Sequence, residues 1–136
     1  MNPHYNQKYT RADIFDILVK IKACIDSGAF IISQNENRQE NVDFINKYNI
    51  RTDKQKHIIM NIKVEDFCHS LQNTKPGFEH EVLYVFVPQV RLFNTDGIEE
   101  LVDIYTKFNV IDLPAGRRVV VISFHKRNNH IHYLFR

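Results

Sequence analysis

Hydrophobic positions along the chain follow two different periods. In the first half Ile14, Ile17, Leu18, Ile21, Cys24 and Ile25 recur at helical spacing, which predicts a helix from about 11 to 26. Thr10 with Asp13 three residues on supplies its N-terminal cap, and Ser27-Gly28 its stop. "AFIIS" (29–33) is a short apolar run that reads as a strand. "NENRQENVDFINKYN" (35–49) reads as a second helix with Val42 and Ile45 on its buried side, and Thr52 with Gln55 as a capping box opens a third through Ile58, Ile59 and Ile62. "KVEDFCHS" (63–70) reads as a turn or a fresh helical start, and "LQNTKPGFE" (71–79) as a polar loop punctuated by Pro-Gly.

From residue 81 the period becomes two. "EVLYVFVP" (81–88) is a buried strand, which "VRLF" (90–93) continues or pairs with. In "LVDIYTKFNVI" (101–111) Val102, Ile104, Phe108 and Val110 face one way and Asp103, Tyr105, Lys107 and Asn109 the other. "RRVVVISFH" is a strand, "KRNN" a turn and "HIHYLF" a returning strand. The expectation is a single domain over 1–136 of the α+β class, with N-terminal helices packed on a C-terminal antiparallel sheet.

Parity then sorts the last hairpin. Val120, Ile122 and Phe124 share one face of the first strand, and Val121, Ser123 and His125 the other. An even-length turn sets His130, His132 and Leu134 beside His125, and Ile131, Tyr133 and Phe135 beside Phe124. If Ile104, Phe108 and Val110 join the Phe124 face in the core, Tyr105, Lys107, His125, His130 and His132 occupy one sheet surface. A bulge would undo that assignment.

Composition changes this picture little. The chain has 136 residues, 43% of them hydrophobic and 25% charged, as in an ordinary soluble domain. No apolar stretch approaches a membrane span and the polar start "MNPHYNQKYT" is no signal peptide, so no membrane partner and a cytoplasmic location are expected. Cys24 and Cys68 form no CxxC pair and read as reduced core thiols. The formal charge of +2 is small, but Arg117, Arg118, Lys126, Arg127 and Arg136 fall in a C-terminal segment without a carboxylate side chain, which favours phosphate.

Three chemistries fit such a face. Paired strand histidines can hold a metal, but neither strand of the hairpin carries an Asp or Glu, and Lys107, Lys126 and Arg127 repel a divalent cation; no metal and no cofactor are expected. Metal-independent RNA cleavage needs a base, an acid and cations around a phosphorane-like state, and His, Tyr, Lys and Arg are the residue types that supply them. Alternatively, polar hairpin tips collect these residues simply because they face water.

"VEDFCHS" (64–70), "VDIYTKFNV" (102–110) and "VVVISFHK" (119–126), in that order, resemble the MqsR family of bacterial toxin endoribonucleases, within the RelE-like microbial ribonuclease group. The resemblance spans residues 12–136 and implies a RelE-like toxin fold and metal-free cleavage of messenger RNA, often on translating ribosomes. It also implies a cognate antitoxin protein that blocks the toxin. By position it carries the family's functional tyrosine to Tyr105, the lysine of the last strand to His125-Lys126, and a lysine after the helices to His69. A family glutamine in the first long strand has no counterpart, since "LYVFVP" offers only Tyr84, and 89–101 resembles an insertion. The candidate catalytic residues are thus Tyr105, His125 and His69, with Lys107, Lys126, Arg127, His130 and His132 to bind RNA phosphate. A non-catalytic RNA- or protein-binding module using the same face is the alternative.

Overall fold

Thr10 opens the first helix, α1 (Arg11–Ser27), through a reciprocal cap: its hydroxyl accepts from the Asp13 amide at 3.1 Å, and the Asp13 carboxylate accepts from the Thr10 amide at 2.8 Å. Gly28 ends it at φ 80, a left-handed conformation that glycine adopts without a Cβ clash. The structure, a computed structural model, describes residues 5–34 and 38–136. Two further helices follow, α2 (Gln39–Lys47) and α3 (Thr52–Met60), so the start of the predicted second helix, 35–37, lies outside the described residues.

Among the described residues seven strands complete an α+β fold: β1 (Tyr5–Asn6), β2 (Phe30–Ile32), β3 (Phe67–Gln72), β4 (Val82–Phe86), β5 (Gln89–Phe93), β6 (Glu99–Leu113) and β7 (Gly116–Lys126). They order as β1-β3-β4-β6-β7-β2, with β5 on the first part of β6. Every pairing is antiparallel except β2 with β7. The strand predicted at 29–33 is β2, an edge strand lying between the helices, while the edge strand β1 before them was not predicted. β4 and β5 share one register on β6, with Leu83 opposite Asn109 and Gln89 opposite Asp103. Only Val87-Pro88 interrupts them, where proline has no amide to give the ladder.

The main core joins helix residues such as Ile14, Ile21, Phe44 and Ile59 to Phe67, Phe86, Phe108 and Phe124 of the sheet. Each of those four phenylalanines is fully buried, a contribution of about 1.5–3 kcal/mol apiece. A smaller cluster, Cys68, Val85 and Val87, lies on the other sheet face and is covered by Leu71, Tyr105, Ile131 and Tyr133.

Five local expectations are corrected. Residues 63–70 form a 3-10 turn (Val64–Asp66) and then β3, so His69 stands in a strand rather than at a helix end. Thr52 is the first helical residue, and Arg51 caps α3 without a side-chain hydrogen bond; Gln55 is buried and donates to the Ile50 carbonyl at 2.9 Å. On α2 the buried residues are Asn41 and Phe44, while Val42 and Ile45 are half-buried.

The fourth correction concerns the C-terminus. After Lys126 the chain makes no strand. Leu134 donates its amide to the Phe67 carbonyl (3.1 Å), Tyr133 its hydroxyl to Val87 (2.7 Å), and Arg136 pairs with Asp66 (2.9 Å). The tail thus crosses the sheet as a strap, so the predicted strand parity does not apply to it: Ile131 and Tyr133 cover the smaller cluster, whereas Leu134 and Phe135 reach the main core.

Within β7 a bulge falls at Ile122, since Lys107 pairs with Ser123 but Phe108 with Val121. Val119 and Val121 are in the core before it, and Phe124 after it. The predicted grouping of Val120 and Ile122 with Phe124 therefore fails, while Ser123 and His125 do oppose Phe124. Asn41 holds the bulge: its amide donates to the Ile122 carbonyl (2.9 Å) and the Ser33 carbonyl (2.8 Å), and its oxygen accepts from the Phe124 amide (2.8 Å). Replacing Asn41 by Leu strands buried backbone groups at about 1–3 kcal/mol each. Urea unfolding of Asn41→Leu is expected to show a loss of roughly 2–4 kcal/mol with an unchanged slope.

Candidate functional site

Alternation along the strands places a row of polar side chains on the sheet face away from the main core. His69 of β3 pairs with Val85, Val85 with Lys107 of β6, and Lys107 with Ser123 of β7. On the next rung Tyr105 faces His125, their rings stacked with centroids 5.6 Å apart and planes 23° from parallel. These two rungs floor a cleft of about 760 Å³. Tyr5 and Lys8 line one wall, Arg38 and Glu40 another, and His130 and His132 of the tail a third.

Six of the eight predicted residues meet in this cleft: His69, Tyr105, Lys107, His125, His130 and His132. Lys126 is exposed at the end of β7 and borders a shallower groove that shares Glu40 and His125 with the cleft. Arg127 lies outside, its guanidinium donating to the Asp103 carboxylate at 2.9 Å and to the Asn129 carbonyl at 3.1 Å. It fixes the exit of the strap from the sheet.

Burial sets the protonation of several of these groups. Tyr105 is pushed up to about 12, first by burial and then by the neighbouring Tyr5 and Cys68, so at neutral pH it is a phenol able to donate a proton. Burial, reinforced by Arg38, lowers the Lys107 ammonium from its usual range, and Lys107 Nζ lies 5.9 Å from the centre of the Tyr105 ring. His69 is brought down to about 4 by burial and then by Lys107, which leaves it a neutral imidazole. Its Nε2 is buried and has no hydrogen-bond partner among the described residues. Cys68, pushed up to about 12 by burial, is an inert thiol beneath the cleft.

His125 is oriented by its own strand end. Nδ1 lies 2.8 Å from the Lys126 carbonyl, which can only accept, so Nδ1 carries the proton and Nε2 of the neutral ring has the free lone pair. Glu40 comes within 3.7 Å of the same Nδ1 and is held by the Asn128 side-chain amide at 2.6 Å. Among the described residues Glu40 is the cleft's one carboxylate, against the basic side chains of Lys8, Arg38 and Lys107. The arrangement favours an anion, and it brings a proton acceptor and a proton donor side by side. His130 and His132 meet edge to face at 4.8 Å, but among the described residues no group of three metal-ligating side chains converges there.

Tyr5 escapes sequence reasoning because it belongs to no periodic segment, and Arg38 and Glu40 because they read as ordinary charges of the predicted second helix. Ser123 was on the right face by parity but carried no chemical signal of its own. Comparison with protein-family models, curated proteins and solved structures finds no match for this chain.

The depressed imidazole of His69 ties stability to acid. An unfolded histidine binds its proton near pH 6.5 and the folded one only near 4, so the unfolded state holds more protons in that window. The stabilisation is present above about pH 6.5 and lost as pH falls through the window, by about 2 kcal/mol between pH 7 and 5. Urea unfolding at the two pH values measures the loss, and His69→Phe is expected to reduce it.

Proposed function

We propose that this chain is a metal-independent endoribonuclease of the toxin type. The observation that carries the reading is the stacked Tyr105–His125 pair, with Lys107 one rung away, on the floor of a cation-rich cleft. His125 Nε2 takes the proton of an RNA 2′-hydroxyl, whose oxygen attacks the adjacent phosphorus. The bond from phosphorus to the 5′-oxygen breaks, Tyr105 donates its proton to that oxygen, and a 2′,3′-cyclic phosphate is left. Lys107 and Arg38 offset the charge that builds on the phosphoryl oxygens. His69 is a neutral hydrogen-bonding partner of the substrate here, which suits a histidine standing where the MqsR-like pattern has a lysine. His130 and His132 add donors at the wall, and Lys126 extends the cationic path beyond it.

The order of the short motifs supports a RelE-like fold and, with it, messenger RNA as substrate and a cognate antitoxin as the neutralising partner. A small adjacent reading frame encoding a DNA-binding protein is the genomic observation this expects.

Long single-stranded RNA incubated with the purified protein in EDTA tests the chemistry. Cleavage to cyclic-phosphate ends is expected, falling about 10²–10⁴-fold in Tyr105→Phe and in His125→Ala at unchanged thermal stability. Tight RNA binding by well-folded wild type without any cleavage would instead establish the binding-module reading and overturn the enzyme.

A further inference from the structure

Tyr5 plays no part in the proton transfers, yet it is the more exposed of the cleft's two tyrosines. It lies flat on His69, with centroids 4.0 Å apart and planes 12° from parallel. His69 is only 6% exposed whereas Tyr5 is 43% exposed, so the stack has a buried floor and an open top. Its position is fixed from three sides. Tyr5 pairs with Leu71, the Gln7 side-chain amide donates to the Cys68 carbonyl at 2.9 Å, and the Tyr9 hydroxyl meets that of Ser70 at 2.7 Å.

A flat, solvent-facing ring held over a buried imidazole is a stacking platform. Tyr5 stands on β1, three strand spacings or roughly 14 Å from Lys107 on β6, so the ring and the phosphate position lie within the reach of about two nucleotides of an extended strand. His69 adds a second observation that points to a ligand: Nε2, buried and unpartnered at the same wall, is a hydrogen-bonding atom without a protein group to use it. We infer that Tyr5 and His69 form a nucleobase subsite, in which an unpaired base of single-stranded RNA stacks on Tyr5 within reach of the phosphate held at Lys107 and His125. A base in a duplex is stacked on both faces already and cannot enter, so the subsite confines the protein to single strands.

The inference takes its ligand from the ribonuclease reading, but its test reads binding alone. Fluorescence anisotropy compares a short single-stranded RNA carrying 2′-deoxy sugars, and hence uncleavable, with the same strand made abasic and with its duplex. Stacking on one aromatic ring is worth about 1–3 kcal/mol, so the abasic strand and the duplex are each expected to bind wild type roughly ten-fold more weakly. Tyr5→Ala lowers affinity for the intact strand by the same factor, and Tyr5→Phe restores it. A 2-aminopurine strand reports the stack directly, quenched by wild type and Tyr5→Phe and unquenched by Tyr5→Ala. Equal binding of intact and abasic strands by wild type overturns the subsite, whatever the variants do. Base-dependent binding without RNA cleavage leaves the subsite standing and removes the nuclease.

Discussion

The geometry of the cleft depends on the hydrogen bonds by which Asn41 ties the β7 bulge, at Ile122 and Phe124, to the end of β2 at Ser33. An unbulged β7 that placed Val119 and Val121 in the core would carry Ser123 and His125 to the core side as well, because side chains alternate strictly. The extra residue at Ile122 reverses the parity and sends His125 out to meet Tyr105. A bulge leaves backbone groups unpaired, and in a buried sheet those groups need partners from elsewhere. A single asparagine of α2, 1% exposed, supplies both donors and an acceptor. Helix packing and site geometry are therefore one problem in this protein, solved by one side chain.

Burial then does chemical work on the residues so placed. The same apolar surroundings that raise Tyr105 lower His69 and Lys107, since each loses solvation of its charged form. Neighbouring groups are driven toward a phenol, a neutral imidazole and an easily discharged ammonium, and a site of this composition can exchange protons while still attracting an anion. The strap made by the tail helps to keep it dry, with Ile131 and Tyr133 covering Cys68, Val85 and Val87 beneath.

Much of this was legible in the sequence where one period held over many residues. The face of β6 that carries Tyr105 and Lys107 follows from strict alternation, and α1 from its apolar stripe and the Thr10–Asp13 cap. Parity failed in the first half of β7, where a bulge leaves no local mark because its cause, Asn41, is distant in sequence. The tail misled for a related reason: "HIHYLF" alternates like a strand, but its amides and hydroxyl find partners at Phe67 and Val87 rather than on β7. The strand that carries His69 was hidden by the acidic run before it, which reads as a helix start and yields only a 3-10 turn. Tyr5 and Glu40 reach the cleft through tertiary contacts that no short-range pattern encodes.

The two ends of the described chain close around this cleft from opposite sides, Tyr5 over His69 and the His130–His132 strap over the far wall. The floor between them needs β7, which lies between β6 and β2 in the sheet. β6 and β7 form a local hairpin, whereas the contacts of Tyr5 with His69 and of Leu134 with Phe67 span more than sixty residues and are slow to form, because ordering the intervening chain costs entropy. Residues 117–136 bring both His125 and the strap to the cleft. The first 116 residues therefore hold the floor's Tyr105 and Lys107 without the partner ring that Tyr105 stacks on and without one of the cleft's walls.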